Sequence, residues 1–310
     1  MNAYCETALL FEASDARLVG IVTTPASHAP SRLGVLIVVG GPQYRVGSHR
    51  QFVHLARALA ARGFATMRFD CSGMGDSTGA ARPFTERDRD IRAAIDAFIE
   101  TAPDVAEIAI WGLCDAASAA LFYAPQDARV RKLVLLNPWV RSDGGLARTH
   151  LKHYYTARLF DREFWRKLLG GEVGIGRALR GLGSTLMRAL AESPRAADRG
   201  SGDGSNASDP ALGFQARMAR GWKRFRGDIL LICSGDDLTA REFVDHAASD
   251  AEWKGLVEQL RVTRCDFADA DHTFSQAEWR DRLATWTADW LADAAHMRNK
   301  PVTPASREVA

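Results

Sequence analysis

Hydrophobic residues along the chain alternate between short continuous runs and helical spacings. Residues 7–12 and 17–24 are short apolar runs separated by a polar turn, which predicts an antiparallel hairpin. Residues 33–39 form an unbroken run of Val, Ile and Leu apart from one glycine, as is typical of a strand buried on both faces. Over residues 48–62 the apolar positions recur at helical spacing, and Gly63 then ends the predicted helix.

The alternation of strand and helix continues to residue 140 and resumes near residue 228. A strand followed by a helix, repeated several times, predicts a mostly parallel central sheet with helices on both faces. The chain is therefore predicted to have an α/β fold. The further predicted strands are 64–69, 107–111, 132–136, 228–234 and 260–265, and the further predicted helices are 86–100, 116–123, 239–248 and 276–295.

Residues 141–227 interrupt this pattern and form a connection far longer than two elements of a sheet need. Most of the segment has helical spacing of Leu, Phe, Trp and Arg, so we predict a helical cap inserted between two parts of one core, residues 1–140 and 228–310. Residues 192–211 are rich in Gly, Ser, Asp and Pro and are expected to form a mobile loop within the cap.

Composition narrows the possible partners. The formal net charge is +2, which gives no reason to expect nucleic acid as a partner. No run approaches the roughly 20 apolar residues that cross a bilayer, and the first residues do not have the pattern of a signal peptide. The five cysteines are scattered, which favours a reduced, cytoplasmic protein without a metal site. We expect a small-molecule substrate and no cofactor; the oligomeric state stays open.

Residues 107–118 carry the clearest chemical signal, because a buried strand runs through Gly112-Leu113-Cys114-Asp115-Ala116 into a helix of small residues. This is the G-x-S-x-G turn of a nucleophile elbow, with Cys for Ser and Ala for the second Gly. The N-terminus of a helix favours a thiolate at Cys114. The alternative is that Cys114 is a small buried hydrophobic residue. Asp115 is expected to raise the pKa of the thiol unless its side chain turns away.

Two later segments supply an acid and a base. The strand 228–234 is followed by a glycine and then by Asp236 and Asp237. We predict Asp237 as the acid that orients the base. Asp236 is the alternative, but Asp237 is preferred because Asp236 lies on the turn itself. Either carboxylate could instead only cap the next helix. His272 lies between the last strand and the last helix and is the predicted base. The order Cys114, Asp237, His272 matches nucleophile, acid and base.

The loop after the strand 33–39 is predicted to complete an oxyanion hole. One donor is expected to be the N–H of Asp115, next to the nucleophile. Pro42 has no N–H, so the second donor must come from Gln43 or Gly41. A plain Gly-Pro turn without a catalytic role is the simpler alternative for this loop.

Substrate contacts are expected from this loop, from the end of the strand 132–136 and from the insertion. A solvated basic helix is the simpler alternative for the charged residues of the insertion. The segment 69–79, FDCSGMGDSTG, is not expected to bind a dinucleotide, because Thr78 replaces the third glycine of the G-x-G-x-x-G pattern. The predicted contact residues are Tyr44, Arg45, Trp139, Arg141, His153 and Tyr154.

These motifs together resemble the α/β-hydrolase superfamily. The more specific stretches are similar to the exosortase A system-associated hydrolase 1 family over nearly the whole chain up to about residue 292. The resemblance implies an α/β-hydrolase fold and a bacterial hydrolase linked to exopolysaccharide and protein sorting. The sequence departs from the superfamily at Cys114 and Ala116, and a cysteine nucleophile occurs in dienelactone-hydrolase-like relatives. The stretches are GVLIVVGGPQYRVGSHRQFVHLARALA, WGLCDAASAAL, LVLLNPWVRSDGGLARTHLKHYY, FWRKLL, LLICSGDDLTAREF and DADHTFS.

The expected activity is hydrolysis of an ester, a lactone or a thioester through an acyl-enzyme on Cys114. Two alternatives stay open on the sequence. The first is acyl transfer to a sugar hydroxyl instead of to water. The second is a binding protein that has kept the hydrolase fold and lost activity.

Overall fold

The computed structural model describes residues 3–26, 31–41, 43–141 and 213–292. Within these ranges the predicted alternation of strands and helices is confirmed. The strands are β1 Tyr4–Ala13, β2 Ala16–Pro25, β3 Leu33–Val38, β4 Thr66–Phe69, β5 Glu107–Leu113, β6 Val130–Leu136, β7 Asp228–Asp236 and β8 Val262–Asp271. The helices, numbered here among the described residues, are α1 Gln51–Ala61, α2 Asp88–Thr101, α3 Asp115–Tyr123, α4 Phe214–Arg224, α5 Leu238–Ser249 and α6 Ala277–Ala292.

The eight strands form one sheet in the order β1-β2-β4-β3-β5-β6-β7-β8. The predicted hairpin of β1 and β2 is antiparallel and joins the sheet antiparallel to β4, and every other neighbouring pair is parallel. The carboxyl ends of the parallel strands therefore meet at one edge of the sheet, where α/β folds place their binding sites. The loops after β3, β5, β6, β7 and β8 carry Gln43, Cys114, Trp139, Asp237 and His272 to that edge.

Two hydrophobic layers cover the sheet. Side chains alternate between its faces along β5, so Ile108 and Ile110 join one layer while Ala109 and Trp111 join the other. The first layer packs against α2, α3, α4 and α5, and the second against α1 and α6. Because both faces are covered, the strands are nearly continuous apolar runs, which is the pattern that predicted a parallel sheet.

The last strand is longer than its apolar pattern predicted. It continues past Cys265 to Asp271, and Asp271 pairs with Asp236 after an irregularity in the register with β7. Gly235 lies at this irregularity, where an added Cβ would approach the carbonyl oxygen of Ala268 to 2.0 Å. The two strands stay paired as far as Asp236 and Asp271, so Asp237 and His272 directly follow neighbouring strand ends.

The core resumes earlier than the predicted boundary at residue 228. Residues 213–227, assigned from the sequence to the cap, belong to the same compact unit as the sheet. The reason is the packing of α4: Met218 and Trp222 are buried, and an added Cβ at Gly221 would approach the carbonyl oxygen of Leu121 in α3 to 2.0 Å. The corrected insertion spans about residues 141–211.

The predicted cap helices and the predicted mobile loop at 192–211 lie outside the described residues, as do the contact candidates His153 and Tyr154. Among the helices of the described part of the chain, none has both the length and the apolar character needed to cross a membrane.

Candidate active site

Cys114 lies on a sharp turn between β5 and α3. Its backbone has φ 62° and ψ −124°, a conformation that L-residues rarely adopt and that costs on the order of 1–3 kcal/mol. The turn is fixed by the backbone, because the Cys114 N–H donates to Leu136 O at 2.9 Å and its carbonyl oxygen accepts from the N–H of Trp139 at 3.2 Å. The side chain is half-buried at the N-terminus of α3. The sequence motif thus has the local geometry that an elbow requires.

The small residues around the turn have a steric reason. An added Cβ at Gly112 would lie 2.7 Å from the backbone carbon of Ala116, so strand and helix could not meet at this distance with a larger residue. A Cβ at Gly40 would lie 2.1 Å from the Asp115 carboxylate and 2.8 Å from Leu113 O. Glycine at position 112 therefore lets the strand meet the helix, and glycine at position 40 lets the loop after β3 lie against the elbow.

His272 joins the acid to the cysteine. Its Nδ1 is 2.8 Å from Oδ2 of Asp237, and its ring lines the same cavity as Cys114. The Asp237 carboxylate first, and Cys114 second, raise the pKa of His272 to about 10. The imidazolium form is therefore favoured beside the sulfur at neutral pH. Such a pair activates a thiol nucleophile.

The structure separates the two candidate acids. Asp237 is buried and faces His272, whereas Asp236 is exposed at the end of β7. Asp237 also caps α5, since it accepts from the N–H groups of Thr239 and Ala240 at 3.0 and 3.3 Å. Capping and orientation of the histidine were alternatives on the sequence, and this one carboxylate does both.

The structure removes one of the two candidates for the second oxyanion donor. The N–H of Gly41 donates to Oδ1 of Asp115 at 2.8 Å, so Gly41 is not the second oxyanion donor. Gln43 lines the cavity together with Cys114 and keeps that role as a prediction. Asp115 begins α3, and the first N–H groups of a helix have no intrahelical acceptor. Its N–H keeps the predicted role as well.

Arg45 and Tyr44 are not placed as substrate contacts. The Arg45 guanidinium pairs with the fully buried Asp70 and, at 2.7 Å, with Asp76. The backbone N–H of Arg45 also donates to Asp70 at 2.6 Å. These bonds fasten the loop after β3 to the turn after β4. An added Cβ at Gly75 would lie 2.4 Å from the Asp70 carboxylate, so the glycine-rich segment 69–79 serves this turn. Tyr44 is largely exposed and, like Arg45, lies outside the residues that line the cavity.

A cavity of about 410 Å³ opens on Cys114. Its volume lies within the range of about 300–1,000 Å³ that small-molecule sites occupy. Trp139, predicted as a contact, lines it, while Arg141 is half-buried and ends the described stretch. Three lining residues were not predicted as substrate contacts from the sequence: Phe52, Phe84 and Leu113. The described residues that line the cavity are Gly40, Gly41, Gln43, Phe52, Phe84, Leu113, Cys114, Asp115, Trp139 and His272.

Arg87 is a further residue of the site that was not predicted from the sequence. It is buried beneath the elbow, and its Nη2 lies 3.5 Å from Oδ2 of Asp115. The sequence carried no signal for this contact, because the predicted helix 86–100 contains Arg87 as one of several charged residues.

Comparison with known proteins bears on the family and the fold of the chain. A family model described as the alpha/beta hydrolase family matches residues 35–300. An uncharacterized protein of Pseudomonas aeruginosa is 36% identical over 115 residues, which span 36% of this chain and 30% of that protein. The chain thus matches less than a third of the length of that curated relative.

Solved structures show the same fold at low sequence identity. An esterase of Pyrococcus furiosus has a TM-score of 0.60 at 12% identity, covering 93% of this chain and 91% of that chain. A dienelactone hydrolase of Anabaena variabilis has a TM-score of 0.54 at 15% identity, covering 94% and 98%. An acylaminoacyl peptidase of Pyrococcus horikoshii has a TM-score of 0.57 at 14% identity, covering 94% of this chain and 42% of that chain.

Proposed function

Because the chain belongs to the alpha/beta hydrolase family, we propose that it hydrolyses an ester, a thioester or a lactone through an acyl-enzyme on Cys114. The observation that carries the proposal is the hydrogen-bonded pair of Asp237 and His272 beside Cys114, with His272 and Cys114 both lining one cavity. A nucleophile, a base and an orienting acid in this order form the arrangement of acyl-transfer enzymes.

The reaction proceeds in two halves. The Cys114 sulfur attacks the substrate carbonyl carbon, and the resulting oxyanion accepts hydrogen bonds from the N–H groups of Asp115 and Gln43. The tetrahedral species collapses to a thioester, and the alcohol or thiol leaves with the proton of His272. Water then attacks the thioester while His272 takes its proton. The carboxylic acid departs and the cysteine is restored. Asp237 stabilises the imidazolium in both halves.

The lining of the cavity supports an apolar acyl group. The lining includes the apolar side chains of Phe52, Phe84, Leu113 and Trp139, and none of the described lining residues is Lys or Arg. An anionic acyl group would need cationic partners in the lining, so this lining favours an uncharged acyl group. Each methylene that moves from water into such a cavity contributes about 0.8 kcal/mol.

The first prediction concerns p-nitrophenyl esters of increasing chain length. We expect kcat/KM to rise about 10-fold from acetate to butyrate, since two buried methylenes contribute roughly 1.6 kcal/mol, and to rise further for octanoate. The anionic hemisuccinate is expected to react more slowly than butyrate. The measurement is steady-state release of p-nitrophenol, with mass spectrometry of the acyl-enzyme.

Two variants test whether the cavity causes this preference. Trp139→Ala is expected to reduce the octanoate-to-acetate ratio about 10-fold, whereas Tyr44→Ala, which removes an exposed aromatic ring from the neighbouring loop, leaves it unchanged. Equal rates for butyrate and hemisuccinate contradict the apolar assignment. Absence of any acyl-enzyme across the series contradicts the proposed function itself.

The biological setting forms part of the same proposal. The similarity of stretches such as WGLCDAASAAL and LLICSGDDLTAREF to exosortase A system-associated hydrolase 1 supports a role beside bacterial exopolysaccharide and protein-sorting systems. This link rests on sequence resemblance alone. The cytoplasmic location stays a prediction from the sequence.

A further inference from the structure

We propose that Asp115 and Arg87 are positioning residues that hold the oxyanion loop against the nucleophile elbow. The inference rests on the proposed function, because an oxyanion hole has a role only in acyl transfer. It assigns a task to two charged residues that supply neither the nucleophile nor the base.

Asp115 connects the two halves of the predicted oxyanion hole. Its backbone N–H is one predicted donor, and its side chain reaches across to accept the N–H of Gly41 at 2.8 Å. Gly41 lies two residues before Gln43, the other predicted donor. A single residue thus sets both its own donor and the loop that presents the second donor. The fit is close, since a Cβ at Gly40 would collide with this carboxylate at 2.1 Å.

Arg87 completes the connection from below. One guanidinium nitrogen donates to Val39 O at 3.0 Å, immediately before the loop, and the other lies 3.5 Å from the Asp115 carboxylate. The side chain is only 5% exposed. Burying a cation is costly without a charged partner and hydrogen bonds. The two contacts join the residue directly after β3 to the elbow.

Arg87 also explains how a carboxylate can follow the nucleophile directly. An unpaired negative charge next to Cys114 disfavours the thiolate and the tetrahedral oxyanion alike. The guanidinium offsets this charge, and the carboxylate accepts the N–H of Gly41 in the loop. The two side chains then hold the loop and the elbow together.

Two reactions of the same sulfur distinguish positioning from mere stability. Alkylation by iodoacetamide is a displacement at a saturated carbon and forms no oxyanion. Acylation by p-nitrophenyl butyrate passes through an oxyanion and depends on both N–H donors. A misplaced loop lowers acylation and spares alkylation, whereas general loosening of the elbow lowers both.

The test compares both rates in wild type, Asp115→Ala, Asp115→Asn, Arg87→Met and Arg68→Met. Acylation is expected to fall about 10–100-fold in Asp115→Ala and Arg87→Met, because small misplacements of a reacting group cost rates of this order. Alkylation of Cys114 is not expected to fall in Asp115→Ala. In Arg87→Met it is expected to fall less than acylation, because the Asp115 charge left without its guanidinium disfavours the thiolate. Asp115→Asn keeps an acceptor for the Gly41 N–H and is expected to lose less than Asp115→Ala. Arg68, an equally buried arginine paired with Glu6 on the edge strand, is the matched control and is expected to lose neither rate.

Parallel loss of both rates in the Asp115 and Arg87 variants overturns the inference, and so does unchanged acylation. A loss in Arg68→Met equal to that in Arg87→Met overturns it as well. If wild type is alkylated at Cys114 and never acylated, the proposed function fails instead, so the two failures are distinguishable.

Discussion

Replacement of Cys114 by alanine is expected to abolish the acyl-enzyme and to lower hydrolysis of p-nitrophenyl butyrate by about 10³-fold or more. The physical reason is direct: the sulfur is the proposed attacking atom, and water cannot replace it in forming the covalent intermediate. Alanine has a Cβ like cysteine, so the strained turn at φ 62° costs the same and the fold is unchanged. The rate and the intact protein mass are measured together.

The other cysteines supply the control. Cys5 is exposed on β1, far from the predicted site in the strand order, so Cys5→Ala is expected to leave the rate within about twofold of wild type. Full hydrolysis by Cys114→Ala would mean that another group performs the chemistry. An acylated Cys114→Ala variant would exclude this nucleophile outright.

Replacement of Asp237 by asparagine is expected to lower the acylation rate about 10³–10⁴-fold. Asparagine keeps an oxygen that accepts from Thr239 N–H, and asparagine caps helices about as well as aspartate. Its NH₂ group then faces His272, where it favours the tautomer that carries the ring proton toward Cys114. The base is lost while the helix cap is kept. Because Asp237 raises the pKa of His272, chemical denaturation is expected to show a loss of stability in the variant at neutral pH that disappears above about pH 10.

The neighbouring residue is the matched control for this variant. Asp236 carries the same charge one position earlier and is exposed, so Asp236→Asn is expected to change the acylation rate less than about twofold. Similar losses in both variants would show a general effect of charge at the end of β7. A larger loss in Asp236→Asn would reverse the assignment of the acid.

Residues whose role depends on local pattern could be predicted from the sequence. The elbow at Cys114 follows from a buried strand, two small neighbours and a small-residue helix. His272 followed from its place between the last strand and the last helix. Both depend on the order of elements, and parallel topology carries that order to one edge of the sheet.

Residues whose role depends on a distant partner could not be assigned. Arg45 was expected to meet substrate, yet it pairs with Asp70 and Asp76, which lie on another turn. The N–H of Gly41 was an open alternative until the Asp115 side chain was seen to occupy it. A side-chain contact between residues 74 positions apart leaves no periodic trace in the sequence.

The core boundary near residue 213 was missed for a related reason. Four basic residues lie in helix α4 and a fifth lies between it and β7, so the composition of this region resembles that of the basic insertion before it. These residues are Arg217, Arg220, Lys223, Arg224 and Arg226. Its buried stripe of Met218, Ala219 and Trp222 is apolar, but only the position of α3 shows which unit that stripe covers.

Thiols elsewhere in the chain make one measurement especially clear. Burial raises the pKa of Cys71 and of Cys233 to about 12 and that of Cys265 to about 11, so these three are expected to stay protonated and unreactive at neutral pH. Only the thiolate is the nucleophile. Labelling below pH 10 therefore reports mainly on Cys114 and on exposed Cys5, which serves as the internal reference.

The measurement that tests the central claim is the pH dependence of iodoacetamide alkylation, located by mass spectrometry, in wild type and His272→Ala. Since the pKa of His272 is raised to about 10, the imidazolium persists below that pH and is lost above it. We predict that Cys114 labels about 10-fold or more faster than Cys5 at pH 6–7. The advantage is expected to shrink as the pH passes about 8.5, where an ordinary exposed thiol also becomes a thiolate, and His272→Ala is expected to remove it. A Cys114 that is inert, or that labels like Cys5 with and without His272, would contradict the account.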